Sequence, residues 1–181
     1  MSSVKVNNHW GNLQIAFYRD SNVDPLMPIL QQEFPNWNSK RIKSYMELVN
    51  RETSETSGVL AAKNESGYYV GCLIYTHQKI DSRKFDSPSN IGSNEVLDIF
   101  VVENINTCIP IFQQKIFLEL VDEAINIAER NNFSYIELPT LASESYELVK
   151  NKYKNQIQDP KNFRTYLKLS RSITTQMENI N

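Results

Sequence analysis

Soft metal ligands are scarce in this sequence: its 181 residues include two cysteines, Cys72 and Cys108, and two histidines, His9 and His77. Two thiols in unlike contexts are too few for a disulfide-stapled scaffold. No Cys or His pair has zinc spacing, so no metal site is expected. Long apolar runs are also missing. None approaches the roughly 20 residues needed to cross a bilayer, and the stretch from Met1 to His9 has no apolar segment that could serve as a signal peptide. Neither sign of charge is in surplus, with 19 Lys and Arg against 21 Asp and Glu and a net charge of −2. Without excess cations to displace counterions from phosphates, a general nucleic-acid binder is not expected. The content of 40% hydrophobic and 22% charged residues is too apolar for a disordered chain. What remains is a soluble, cytoplasmic domain without a membrane span, of a length that fits a single unit.

What is present is an alternation of strands and amphipathic helices. Leu13 to Tyr18 is β-prone and reads as a first strand. Asn22 or Asp24 can cap the helix that follows, with Pro25 tolerated in its first turn and Pro35 ending it. A second helix opens at Ser39, where Ile42, Tyr45, Met46 and Val49 form one stripe. A hairpin is expected from Val59–Lys63 and Tyr68–Tyr75 around Asn64–Gly67. The polar stretch from Asp81 to Asn94 is the longest predicted loop, a lid or simply a connection. Glu95 to Val102 is a nearly continuous apolar strand of the kind covered on both faces. A long helix is predicted from about Ile111 to Asn131, then a strand over Ser134–Leu138, a helix capped by Ser143, and a last strand over Phe163–Leu169. The expected fold class is α/β (α+β): a single domain over residues 13–169, with a mixed, mostly antiparallel sheet flanked by helices. Residues 1–12 form an N-terminal extension in this reading, and 170–181 a disordered polar tail.

This order resembles the GNAT superfamily of acyl-CoA-dependent N-acyltransferases, from about Leu13 to Leu169. Ile99-Phe100-Val101-Val102-Glu103-Asn104 looks like the family's central strand, Phe117 to Phe133 like its long helix, and Ser143 to Lys150 like its later helix. The resemblance implies transfer of an acyl group, acetyl or another, from a coenzyme A thioester to a small-molecule or peptide amine, with no metal. A second copy of the chain is a further possible partner. It implies that the backbone of Phe100, Val101 and Val102 holds the pantetheine arm. It also implies that Gln113, Gln114 and Lys115, at the helix start, receive the pyrophosphate, a sound place for an anion. The family's phosphate loop has small residues where this chain has Lys115 and Phe117, and the stretch from Thr107 to Phe117 has no glycine. The connection after Val102 also reads as about five residues longer than the family's. Glycine lets backbone approach a phosphate closely. Three readings follow: an acyltransferase with altered coenzyme geometry, one that uses a long-chain or carrier-borne donor, or a binding module without coenzyme A activity.

Aminolysis of a thioester needs a base for the amine and a proton for the thiolate. Glu95 and Asp98 lie on the central strand and point to opposite faces. Asp98 sits among Val96, Leu97, Ile99 and Phe100, where burial would raise its pKa toward that of a useful base. The alternative is an Asp paired with a cation. Tyr146 stands where the resemblance implies the acid, though a tyrosine on an amphipathic helix also packs its ring on a sheet. His77 is a second base across from Asp98, or a structural residue. Cys108, near a helix start, is a nucleophile or an unreactive thiol, and Cys72 reads as core. Lys40, Arg41 and Lys43, with Trp37 and Tyr45, form a basic and aromatic cluster on the acceptor side or a solvated helix face.

Overall fold

The computed structural model describes residues 12–51, 57–81, 96–107, 113–161 and 164–170. Seven strands form one sheet in the order β1-β2-β3-β4-β5-β7-β6: β1 (Gln14–Phe17), β2 (Ser57–Lys63), β3 (Tyr69–Asp81), β4 (Val96–Thr107), β5 (Tyr135–Leu138), β6 (Ile157–Lys161) and β7 (Arg164–Lys168). All neighbours are antiparallel except β4 and β5, which are parallel. Among the described residues the α-helices are α1 (Met27–Glu33), α2 (Ser39–Arg51), α3 (Gln113–Arg130) and α4 (Ser143–Lys152). This is the mixed, mostly antiparallel, helix-flanked sheet expected from the sequence.

The helices divide the sheet into two faces. Val59, Ala61, Cys72 and Ile74 meet Leu30 of α1 with Ile42 and Met46 of α2. Leu60, Leu73, Tyr75, Phe100 and Val102 meet Ile116, Leu120 and Ala124 of α3 and Val149 of α4. The opposite burial of Leu73 and Ile74 is the period of two made visible. Gly71 of β3 sets how closely α3 approaches, because a Cβ there would lie 2.7 Å from Ile116 Cγ2 and 3.0 Å from the Asn106 carbonyl oxygen.

Local chemistry explains the helix starts and the hairpin. Asn38 Oδ1 accepts from the Arg41 amide at 2.8 Å and caps α2. The Asn22 carboxamide accepts from Asp24 N–H at 3.1 Å and leads into a short 3-10 turn, Asp24–Leu26, before α1. In the hairpin turn, Gly67 takes φ +85°, while Asn64 Oδ1 accepts from the Tyr68 amide at 2.8 Å.

Several boundaries differ from the sequence expectation. Ser143 is the first residue of α4 rather than its cap, and Ala142 precedes it without a side-chain cap bond. β3 continues to Asp81, because β4 pairs along its whole length. β6 was not foreseen: Ile157 and Gln158 pair with Leu167 and Tyr166 at the sheet edge. The largest difference is in β4. Glu103 and Asn104 read as the strand's exit, but the strand runs to Thr107, so of the five residues counted as extra loop Asn104–Thr107 are ladder opposite Gly71–Ile74 and Glu103 is an unpaired insertion in the strand. Residues 1–11, the stretch 82–95 with Glu95, the segment 108–112 with Cys108, and the tail 171–181 lie outside the described residues.

Candidate active site

The site is organised by an irregularity in β4. Its register with β3 steps from Tyr75↔Val102 to Ile74↔Asn104, leaving Glu103 unpaired as a β-bulge. Residues paired directly across strands share a face. Asn104 therefore lies on the face of Ile74, and Asn106 on that of Cys72, which is the α1/α2 face. Glu103 lies there too, since Thr76 Oγ1 donates to Glu103 Oε1 at 3.1 Å. One extra residue thus gathers three polar side chains on a single face.

The bulge falls where β4 and β5 part. They pair at Ile99↔Tyr135, Phe100↔Ile136 and Val101↔Glu137, and no further. From Val102 to Thr107 the β5 side of β4 is unpaired with that strand, which opens a splay. Phe100 and Val101 stand in the paired stretch, so of the three backbone positions expected to hold a ligand only Val102 borders the opening.

On the α1/α2 face the splay is bordered by ordered charges. Glu137 of β5 is only 6% exposed. Tyr166 Oη donates to its Oε1 at 2.5 Å, and Arg164 Nη1 lies 3.1 Å from its Oε2. Arg164 Nη2 lies 3.9 Å from Glu103 Oε2. With their amide nitrogens turned toward it, Asn104 and Asn106 donate to the Glu33 carboxylate at 3.3 and 2.6 Å. Glu33 is exposed as a residue, but partial burial of its carboxyl pushes its pKa up. Burial, and after it the charge of Glu103, push the Tyr45 phenol up as well.

The α1–α2 connection adds an aromatic wall. Phe34 and Trp37 stack at 4.4 Å, and Tyr45 meets both edge-on at 5.8 and 5.7 Å. The Arg41 guanidinium lies 4.1 Å from the Trp37 ring centre. Lys43 pairs instead with Asp24 at 2.9 Å.

The other residues singled out from the sequence lie elsewhere. Asp98 shares the α3 face with Phe100, and His77 Nε2 lies 3.0 Å from its Oδ1, so these two are brought together. Phe133 meets the His77 ring edge-on at 4.7 Å, and Lys79 is 4.0 Å from Asp98. The Asp98 side chain is 46% exposed, so the burial its apolar neighbours implied does not occur. Tyr146 is partly buried on α4. Cys72 is core.

At the other side of the splay, Gln113, Gln114 and Lys115 form the first turn of α3, which contains no acidic residue. Gln114 is exposed, and Lys115 pairs with Glu119 at 3.8 Å. Phe117, placed by sequence where it would crowd an anion, is turned into the core at 7% exposure. The Thr107 hydroxyl, at the end of β4, is buried and has no hydrogen-bond partner among the described residues. No group of three or more potential metal ligands occurs among them. No described helix is long and apolar enough to cross a membrane.

No family model and no curated sequence matches the chain. Solved structures do. AtaT complexed with acetyl-methionyl-tRNAfMet has a TM-score of 0.58 at 11% identity over 92% of this chain and 98% of its own. An acetyltransferase of the GNAT family from Staphylococcus aureus Mu50 gives 0.58 at 14% identity, over 88% of this chain and 100% of its own. AAC(6')-Iy, in complex with a coenzyme A-containing bisubstrate analogue, gives 0.58 at 11% identity over 83% and 94%. The fold is that of the GNAT superfamily of acyltransferases.

Proposed function

We propose that this protein transfers an acyl group from a coenzyme A thioester to an amine. The observation that carries the reading is the splay itself: a bulged β4 whose edge from Val102 to Thr107 is unpaired with β5, with α3 as the next described element in the chain. The residues present suit the donor. Free strand backbone offers hydrogen bonds to the amides of a pantetheine arm. The first turn of α3, and the buried Thr107 hydroxyl that has no hydrogen-bond partner among the described residues, offer donors to phosphate oxygens. Gln113, Gln114 and Lys115 would hold the pyrophosphate, and Lys115 would exchange Glu119 for it. Structural neighbours bound to coenzyme A or to an analogue containing it support this donor.

The acceptor amine comes from the α1/α2 face, where Glu33 and Glu103 supply negative charge. Glu103 takes the amine proton as nitrogen attacks the thioester carbonyl. Its position at the splay favours it over Asp98, which is on the α3 face and engaged by His77. Tyr146 supplies a proton to the departing thiolate. Holding the two reactants on opposite sides of one gap provides proximity, and general-base catalysis adds a further factor of roughly 10²–10⁴.

Isothermal titration with acetyl-CoA, free coenzyme A and a long-chain acyl-CoA tests the reading. Micromolar or tighter binding of acetyl-CoA is the expected result. Binding of the long-chain donor alone would reassign the acyl group, and silence with all three would leave a GNAT-shaped binding module.

A further inference from the structure

Among the described residues, Arg164 is the cation that meets carboxylates on both sides of the splay. It stands one residue beyond Thr165, which pairs with Leu138, the last residue of β5. It shares a face with Tyr166, two residues on, whose hydroxyl bonds Glu137. β7 is two strands from β4, a separation of about 9–10 Å at the usual strand spacing. The long arginine side chain crosses that distance, and its planar fork serves two carboxylates at once. One arm meets Glu137 at 3.1 Å and the other faces Glu103 at 3.9 Å. The remaining oxygens have their own donors, Tyr166 on Glu137 and Thr76 on Glu103.

We propose that Arg164 is the positioning residue for Glu103, anchored on buried Glu137 and orienting the bulge carboxylate across the mouth of the splay. The inference rests on the acyl-transfer reading for its purpose. Thr76 addresses one oxygen of Glu103 and Arg164 the other, so together they fix the carboxylate plane. A bulge residue has no ladder partner to fix it. Arg164 touches neither reactant in this scheme and acts through Glu103. Among the described residues, the Asp98–His77 pair contacts Lys79 and Phe133 instead.

The test combines structure and kinetics on the full chain. In a crystal structure of Arg164→Gln, Glu103 is expected to leave Thr76 Oγ1. An unchanged contact at 3.1 Å overturns the inference. Thiol release from acetyl-CoA is then followed with a panel of alkyl, arylalkyl and peptide amines. Arg164→Gln should lower kcat on the order of 100-fold, the penalty of misplacement by about an ångström. Its calorimetric affinity for acetyl-CoA should stay at the wild-type value. Arg164→Lys should recover part of the rate, and Arg164→Gln should cost nothing further in a Glu103→Gln background. A full additional loss there means a role other than positioning Glu103 and overturns the proposal. Because Arg164→Gln strands buried Glu137, the double variant Glu137→Gln/Arg164→Gln repeats each measurement with no uncompensated charge. Wild-type calorimetry separates the two failures. Silence toward every acyl donor, or no thiol release with any amine, sinks the transfer reading and the role of Glu103 with it. Intact binding and turnover with an unmoved Glu103 sinks only the inference about Arg164.

Discussion

Asp98 and Glu103 are both acidic residues on β4, and their difference in environment separates their expected effects. Glu103→Gln removes the proposed base beside the splay and should lower kcat by roughly 10²–10⁴ while leaving acyl-CoA affinity intact. Asp98→Asn should leave kcat close to wild type, since it weakens half-exposed contacts with His77 and Lys79 on the other face. Steady-state kinetics on the pair decides between them, and the reverse outcome would return the base to Asp98. Sequence pointed to Asp98 because an acid inside an apolar run suggests burial. Facing direction depends on pairing, and pairing is not written in the run. Glu103 was visible but read as the strand's exit, because Glu-Asn after Val-Val looks like a turn. One legible signal was passed over: Asn104 with Asn106, around Ile105, is a polar alternation at period two, which marks a continuing strand with one polar face. Glu137, Arg164 and Tyr166 come from the last third of the chain, and only sheet order brings them to the site.

At the level of elements, the positions of α2, α3 and α4 were readable from apolar spacing and were recovered to within a few residues. β6 was not, because an edge strand with a proline lacks the apolar signal of a central one. The glycine expected in the α3 start is absent, and the close approach between helix and sheet is instead made at Gly71, under Ile116. Gly71→Ala places a methyl 2.7 Å from Ile116 Cγ2 and 3.0 Å from backbone, so α3 must lift. The expected cost is about 1–3 kcal/mol by denaturant unfolding, the usual range for overpacking. A second consequence is weaker acetyl-CoA binding by calorimetry, since the first turn of α3 shifts with the helix. Undiminished affinity in a destabilised variant would show that the helix start does not hold the ligand.

Across the whole molecule, stability depends on tyrosines that clip the outer elements to the sheet and to each other. Tyr153 Oη bonds Asp122, joining the end of α4 to α3, and Tyr166 Oη bonds Glu137, joining β7 to β5. Burial first, then the adjacent carboxylate, pushes both phenols well above their ordinary value. A folded-state pKa above the unfolded one means the native form holds its proton more tightly. That stabilisation is complete below about pH 10, the unfolded tyrosine value, and is lost as pH rises beyond it. Denaturation midpoints should therefore fall from about pH 10 upward. Tyr153→Phe should flatten part of that decline while lowering the midpoint at neutral pH. A decline of unchanged slope would remove Tyr153 from the explanation.

The bulge in β4 also has a genetic meaning. Deleting Glu103, unlike substituting it, closes the ladder: Val102 and Asn104 become successive residues opposite Tyr75 and Ile74, and every later side chain keeps its face. The shortened chain is expected to fold with its core intact and to be catalytically silent. On the acyl-transfer proposal, a three-nucleotide deletion would thus leave the scaffold and remove the base, and the reverse insertion would keep every later side chain on its face.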